Sequence, residues 1–200
     1  MNIILLGVQG SGKGTQAKLI SGKKRLTHIS TGDLLRNTKG KLKEQIDSYI
    51  NKGNLVPDEL MLKILKNKID DCKKGFILDG FPRNLKQAEM LNKITKIDKV
   101  IEIFISDREA IERISGRRNC SKCGKIYNIY KSPKPKKDEL CDDCNVKLSQ
   151  RADDNIEAVK KRIETYHKET ELILKLYPSV RINGEQDIEK ANKEILEVLK

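Results

Sequence analysis

Gly7-Val8-Gln9-Gly10-Ser11-Gly12-Lys13 follows the apolar run Ile3-Ile4-Leu5-Leu6 and opens a stretch of helical character from Lys13 to about Ser21. A short unbroken apolar run ending in glycine reads as a buried strand. The pattern G-x-x-x-x-G-K between a strand and a helix is that of a loop built to wrap phosphate. Its glycines let backbone N–H groups point inward, and the helix N-terminus and Lys13 add positive charge. A glycine-rich turn with no ligand would not require the lysine or the helix directly behind it.

The rest of the chain repeats the unit. Phe76-Ile77-Leu78-Asp79, Val100 to Ile105 and Val180-Arg181-Ile182-Asn183 (ended by Gly184) read as further buried strands, and residues 26–30 as a less apolar one. Helices fill the intervals. Leu60, Ile64, Leu65 and Ile69 form an apolar face after Pro57-Asp58. Asp107 to Gly116 carries Ala110, Ile111 and Ile114 at helical spacing. Asp154-x-x-Glu157 has the form of a capping box, opening a helix with Ile156, Val159, Ile163 and later Leu174 inward. A last helix from about Asp187 presents Ile188, Ala191, Ile195 and Val198. Strands alternating with helices predict an α/β fold with a parallel sheet.

Composition narrows the functional classes. The 200 residues suit one domain with an insertion, and no run of 18 apolar residues is present, which excludes a helical membrane span. The 41 basic residues against 29 acidic leave +12, yet 31 of the bases are lysines scattered along the chain, as on a solvated surface. The ten arginines say more, because six fall in motifs. His28 and His167 read as structural, and no Ser/His/Asp nucleophilic set stands out. The start of the chain lacks the basic residues and longer apolar stretch of a secretory signal, so a cytoplasmic location is expected.

Residues 117–151 interrupt the alternation. They hold Pro133, Pro135 and two Cys-x-x-Cys pairs, Cys120/Cys123 and Cys141/Cys144, with 17 residues between. This is four-thiolate zinc spacing, and four cysteines leave no open coordination position, so the metal is expected to be structural. A module of this size cannot bury enough apolar area to fold firmly alone, and a metal clip compensates. Cys72 is left over, as expected of a reducing compartment.

Gly10-Ser11-Gly12-Lys13-Gly14-Thr15-Gln16 resembles the loop of nucleoside monophosphate kinases, adenylate kinases in particular. Gly14 stands where the general motif has a Ser or Thr for Mg²⁺, and Asp79 matches the family aspartate that orients the metal's water shell. The resemblance spans the whole chain. Ser30-Thr31-Gly32-Asp33-Leu34-Leu35-Arg36 and Asp79-Gly80-Phe81-Pro82-Arg83 are similar to segments that meet AMP. Thr31 would lie on the adenine side, Arg36 and Arg83 on the phosphate, Gln87 on adenine, and Gly53-Asn54-Leu55-Val56 along the pocket. Arg113 and Arg117 resemble the approach to a mobile lid, Arg151 and Arg162 its exit, and these arginines would clamp the transferring phosphoryl group. Gly10 to Thr15, Arg117, Ile126, Tyr127 and Gln186 would face ATP, although Tyr127 could equally pack within the lid.

The resemblance therefore implies a P-loop NTPase-like parallel sheet flanked by helices, with a core of residues 1–29, 59–116 and 152–200. To it are added a helical AMP-binding insert, 30–58, and a small zinc-ribbon-like lid, 117–151. The implied reaction is MgATP + AMP ⇌ 2 ADP, with Mg²⁺ carried by ATP, a structural Zn²⁺, a monomeric chain, and neither nucleic acid nor membrane as partner. Two departures stand out. Val8-Gln9 replaces the usual Ala-Pro, which bears on loop stiffness more than on chemistry, and Gln186 replaces a frequent lysine. Two rivals remain, a kinase acting on UMP, CMP or GMP, and a zinc-ribbon nucleic-acid binder. Thr31 and Gln87 argue against the first, the phosphate-directed arginines against the second.

Overall fold

A computed structural model describes residues 1–52 and 54–200, leaving aside the side chains of residues 41 and 42. Gly53, read above with Asn54-Leu55-Val56, lies outside the described residues. Five parallel strands form the sheet: β1 (Ile3–Leu6), β2 (Thr27–Ser30), β3 (Phe76–Asp79), β4 (Lys99–Phe104) and β7 (Ser179–Asn183), in the order β2-β3-β1-β4-β7. The apolar runs of the central strands β1, β3 and β4 are continuous because both faces of the sheet are covered there, whereas the edge strands β2 and β7 are partly exposed, β7 burying only Ile182. Ile4, Leu6, Leu78 and Val100 pack on one side with Leu65, Phe81 and Leu91, while Ile3, Leu5, Ile77 and Ile101 pack on the other with Ala17, Ile20, Ala191 and Ile195. The first layer belongs to α3 (Lys41–Ile50), α4 (Asp58–Asp70) and α5 (Leu85–Asn92), the second to α1 (Lys13–Lys24) and α8 (Ile188–Val198).

Three expectations are corrected. The helix after residue 151, α7 (Ile156–Thr165), is capped by Asn155, whose side chain accepts from Ala158 N at 2.9 Å. Asp154 is withdrawn from capping by Arg117. Ile156 and Ile188, each the first residue of its helix, are exposed, because a first-turn side chain lies beyond the edge of the core it points along. The helix α7 also does not continue evenly to Leu174; it passes through a π turn (Tyr166–Thr170) into a 3₁₀ turn (Glu171–Lys175). The short helices α2 (Thr31–Asn37) and α5 had no clear periodic signal, yet both carry side-chain caps, Ser30 and Asn84.

α6 (Asp107–Ser115) leads into residues 117–151, whose regular structure is the antiparallel pair β5 (Arg117–Asn119) and β6 (Ile126–Asn128). Asn128 anchors its base, donating to Arg113 O at 2.9 Å. No helix among the described residues is long and apolar enough to cross a membrane.

Candidate active site

The loops at the carboxyl ends of the strands converge where β1 lies between β3 and β4, the crevice in which open α/β sheets bind ligands. Gly7 opens the phosphate loop at φ 142°, and a Cβ there would sit 2.3 Å from Ile103 O, so no other residue fits. Lys13 folds back across the loop, donating to Gly7 O at 2.7 Å and Val8 O at 2.9 Å. Burial pushes its ammonium down to about 8, against the pull of Asp79. Asp79 ends β3 close to the loop: a Cβ on Gly14 would lie 3.3 Å from its Oδ2. His28 Nε2 sits 3.5 Å from the same oxygen, a structural neighbour in β2 as the sequence suggests.

Opposite the loop lies a crowd of guanidinium groups. Arg83 donates from Nε to Gly80 O at 2.7 Å, and burial, then Arg162, push it down to about 10. Arg151 is held at about 10 by burial and then by Arg117 and Arg36. Two acids keep this cluster together. Asp154, its side chain fully buried, receives a fork from Arg117, with Nε at 2.8 Å. Asp153 meets Arg162 at 3.0 Å and Arg36 at 3.8 Å. Burial opposes ionisation of Asp153, but Arg162 and Arg36 outweigh it and hold the carboxyl below its ordinary range. Arg162 also donates to Ile50 O at 2.6 Å, tying α7 to α3. Carbonyls and two carboxylates thus hold the cationic side chains converged, poised to receive polyanionic oxygens.

Beside this cluster a cavity of about 600 Å³ is lined by Asn54, Leu55, Val56, Pro57, Asp58 and Asn84. Gln87 lies buried near it, accepting from Arg83 N at 2.8 Å and donating to Asp58 at 2.8 Å. Thr31 donates to Asp79 O at 3.2 Å, and Phe81 and Pro82 are buried beneath the same turn.

The sulfurs of Cys120, Cys123, Cys141 and Cys144 all lie within 4.8 Å of one another, with Cys123 and Cys141 at 3.7 Å. Tetrahedral zinc with Zn–S near 2.3 Å needs S···S of about 3.8 Å, so the cluster fits a four-thiolate ion. Both pairs adopt the same turn: Gly124 N donates to Cys120 O and Asn145 N to Cys141 O, at 3.0 and 2.8 Å, with Gly124 and Asn145 at positive φ. Cys72 stands apart just beyond the C-terminus of α4, donating to Lys68 O.

A family model for adenylate kinase matches residues 5–182. The chain belongs to the adenylate kinase family. It is 45% identical to an adenylate kinase of Caldicellulosiruptor saccharolyticus, an alignment covering 100% of this chain and 99% of the relative. It is 46% identical to those of Acetivibrio thermocellus and Methanosarcina barkeri, over 100% of this chain and 98% and 99% of theirs.

Not every residue that the adenylate kinase resemblance singled out faces the crevice. Tyr127 is 1% exposed, its hydroxyl accepting from Asp142 N at 2.9 Å and lying 3.6 Å from Cys141 Sγ, so its side chain packs inside the cysteine module. Ile126, beside it in β6, is half-buried. Gln186 donates to Glu194 at 2.8 Å. Arg113 pairs with Glu109 at 2.7 Å and donates to Gly184 O at 3.0 Å, which ties α6 to the loop after β7. Sequence reasoning missed the work of Asp153 and Asp154, and of Asp58 under Gln87. Two adjacent acids between Arg151 and Arg162 were the available signal, and the helix-cap reading took it.

Proposed function

We propose that this chain transfers the γ-phosphoryl group of MgATP to AMP, reversibly, giving two ADP. The observation that carries the reading is the convergence, beside one loop, of Lys13 and the half-buried Arg36, Arg83, Arg151 and Arg162. Phosphoryl transfer asks little covalent work of a protein; it asks that two phosphates be held in line while charge on the equatorial oxygens is stabilised.

In this proposal the backbone of Gly10 to Thr15 and Lys13 hold the ATP phosphates, and Arg36 and Arg83 the AMP phosphate. Arg117, Arg151 and Arg162 bridge the two. Asp79, close to the loop at Gly14, would hold the Mg²⁺ that accompanies ATP, and the ion would neutralise phosphate charge. Thr31, Asn54 to Val56, Gly80 to Pro82 and Gln87 form the AMP side. With one N–H given to Asp58 and one lone pair to Arg83 N, Gln87 keeps one donor and one acceptor for a base edge. Arg113 serves by fixing the loop that carries Gln186, and Ile126 and Tyr127 by shaping the lid next to ATP.

The same reading divides the chain into a core (1–29, 59–116, 152–200), an AMP-binding insert (30–58) and a lid (117–151) clipped by zinc. One chain supplies every group named, which supports a monomer, and an odd number of cysteines, four of them at metal-ligand spacing, supports a reducing compartment, the cytoplasm.

A coupled assay of ADP formation from ATP with AMP, UMP, CMP and GMP tests the proposal. AMP is expected to be preferred by about 10²-fold or more in kcat/KM, because a site that hydrogen-bonds one base edge leaves buried polar groups unpaired against another. Equal rates with UMP, or no ADP with any acceptor, would reject it.

Lys13 adds a pH signature. Below about 8 the ammonium is charged before ATP arrives; above it, binding must take up a proton. Affinity for Mg²⁺-free ATP should therefore fall as pH rises, by up to about tenfold at one unit above the pKa. Lys13→Arg should flatten that dependence, and calorimetric titration between pH 7 and 9.5 measures both. A pH-independent wild-type Kd would contradict the assignment.

A further inference from the structure

Gln9 sits inside the phosphate loop, and the mechanism above gives its side chain nothing to do. Its carboxamide is nevertheless engaged at both ends. Nε2 donates to Asp154 Oδ1 at 3.2 Å, and Oε1 accepts from Arg162 Nη1 at 3.0 Å. A carboxamide can do both at once; an ionised carboxylate could make only the second bond and an ammonium only the first. The partners are the two ends of the arginine cluster. Asp154 carries Arg117, the first residue of β5, and Arg162 lies on α7 and is paired with Asp153.

We propose that Gln9 is a positioning residue for phosphoryl transfer. It registers Arg162 directly, and Arg117 through Asp154, against the loop that holds the phosphates. The inference rests on the phosphotransfer reading. Arg117 and Arg162 stand more than 100 residues from the loop in sequence, and long guanidinium side chains have many rotamers to choose from. In-line transfer tolerates little error, since a misplacement of about 1 Å can cost on the order of 10²-fold. A neutral amide fixes both arginines without altering the charge that the phosphates meet. The role goes beyond loop stiffness, the only consequence the sequence suggested for a residue other than proline here.

The test compares wild type, Gln9→Leu and Gln9→Glu in steady-state assays on the full-length, zinc-loaded protein. Gln9→Leu removes both bonds at similar volume. It is expected to lower kcat by about tenfold, with KM for ATP and AMP within about twofold and Tm within about 2 °C, the pattern of an interaction felt mainly in the transition state. Gln9→Glu keeps the acceptor for Arg162 but turns a carboxylate toward buried Asp154, and is expected to lose about tenfold or more, because the bridge needs a donor as well as an acceptor. Wild-type kcat in the Leu variant would overturn the proposal. So would a loss matched by a lower Tm or by equal rises in both KM values, because that marks a purely structural side chain. Should the Leu variant fail to fold, Gln9→Glu decides alone: unchanged kcat overturns the proposal. A wild-type chain that forms no ADP would instead reject the underlying reading.

Discussion

Asp79→Asn is expected to lower kcat by about 10²-fold or more, the cost of removing one preorganised electrostatic group from a site of this kind. Asparagine keeps the shape of the side chain and loses only its charge, so the fold around β3 should survive. The carboxylate closes against the loop at Gly14 and supports the charged form of Lys13, with burial of that lysine opposing it. It has no proton to remove. The attacking oxygen belongs to a phosphate whose second pKa is near 6, already ionised at neutral pH. AMP affinity should stay within about twofold, because Arg36 and Arg83 are untouched, whereas the Mg²⁺ dependence of the rate should change shape. Kinetics across a Mg²⁺ titration make the comparison. An Asp79→Asn enzyme with wild-type turnover and wild-type Mg²⁺ dependence would show that the carboxylate is a structural neighbour of His28 and nothing more.

Cys141→Ser is expected to have the largest effect on stability. Its sulfur is buried beside Tyr127 and Leu148 in a cluster too small to hold residues 117–151 by apolar contact alone. A structural ion at about a thousand times its Kd contributes about 4 kcal/mol to the state that binds it. For a chain of this size each kcal/mol moves Tm by about 2–4 °C, so the drop should be on the order of 10 °C. Activity should fall as a consequence, because Arg117 and Arg151 flank the segment that melts. Metal analysis and calorimetry, on the variant and on wild type treated with a chelator, test this. One zinc per chain is expected in the wild type and none held by the variant. An inactive Cys141→Ser protein with full metal content and unchanged melting would contradict a structural role, and metal-free wild type purified without chelator would contradict the site itself.

Much of this molecule follows from local sequence. The phosphate loop, all five strands (the least apolar, residues 26–30, included) and the cysteine pairs were legible because each is a short-range pattern. An apolar run ending in glycine, a lysine opening a helix and a two-residue gap between thiols carry their physical meaning within a few residues. Helix starts were less legible. Asp154 was read as a cap but instead faces Arg117, 37 residues earlier, because a half-buried guanidinium offers a carboxylate more than a backbone N–H does, and Asn155 caps α7 in its place.

The sequence by itself determined the strands and the longer helices between most of them, the residue types available to hold phosphate, and the thiolate set of the metal site. Tertiary structure alone decided which side chains meet. It turned Tyr127 into the small core of its module, gave Arg113 to Glu109 and Gly184, and set Asp153 and Asp154 beneath the arginine cluster. It also drew Gln9 from the loop onto both Asp154 and Arg162. The reason is that an ion pair or an amide bridge between residues far apart in the chain leaves no periodic trace. Its geometry exists only once the sheet has brought the carboxyl ends of its strands together.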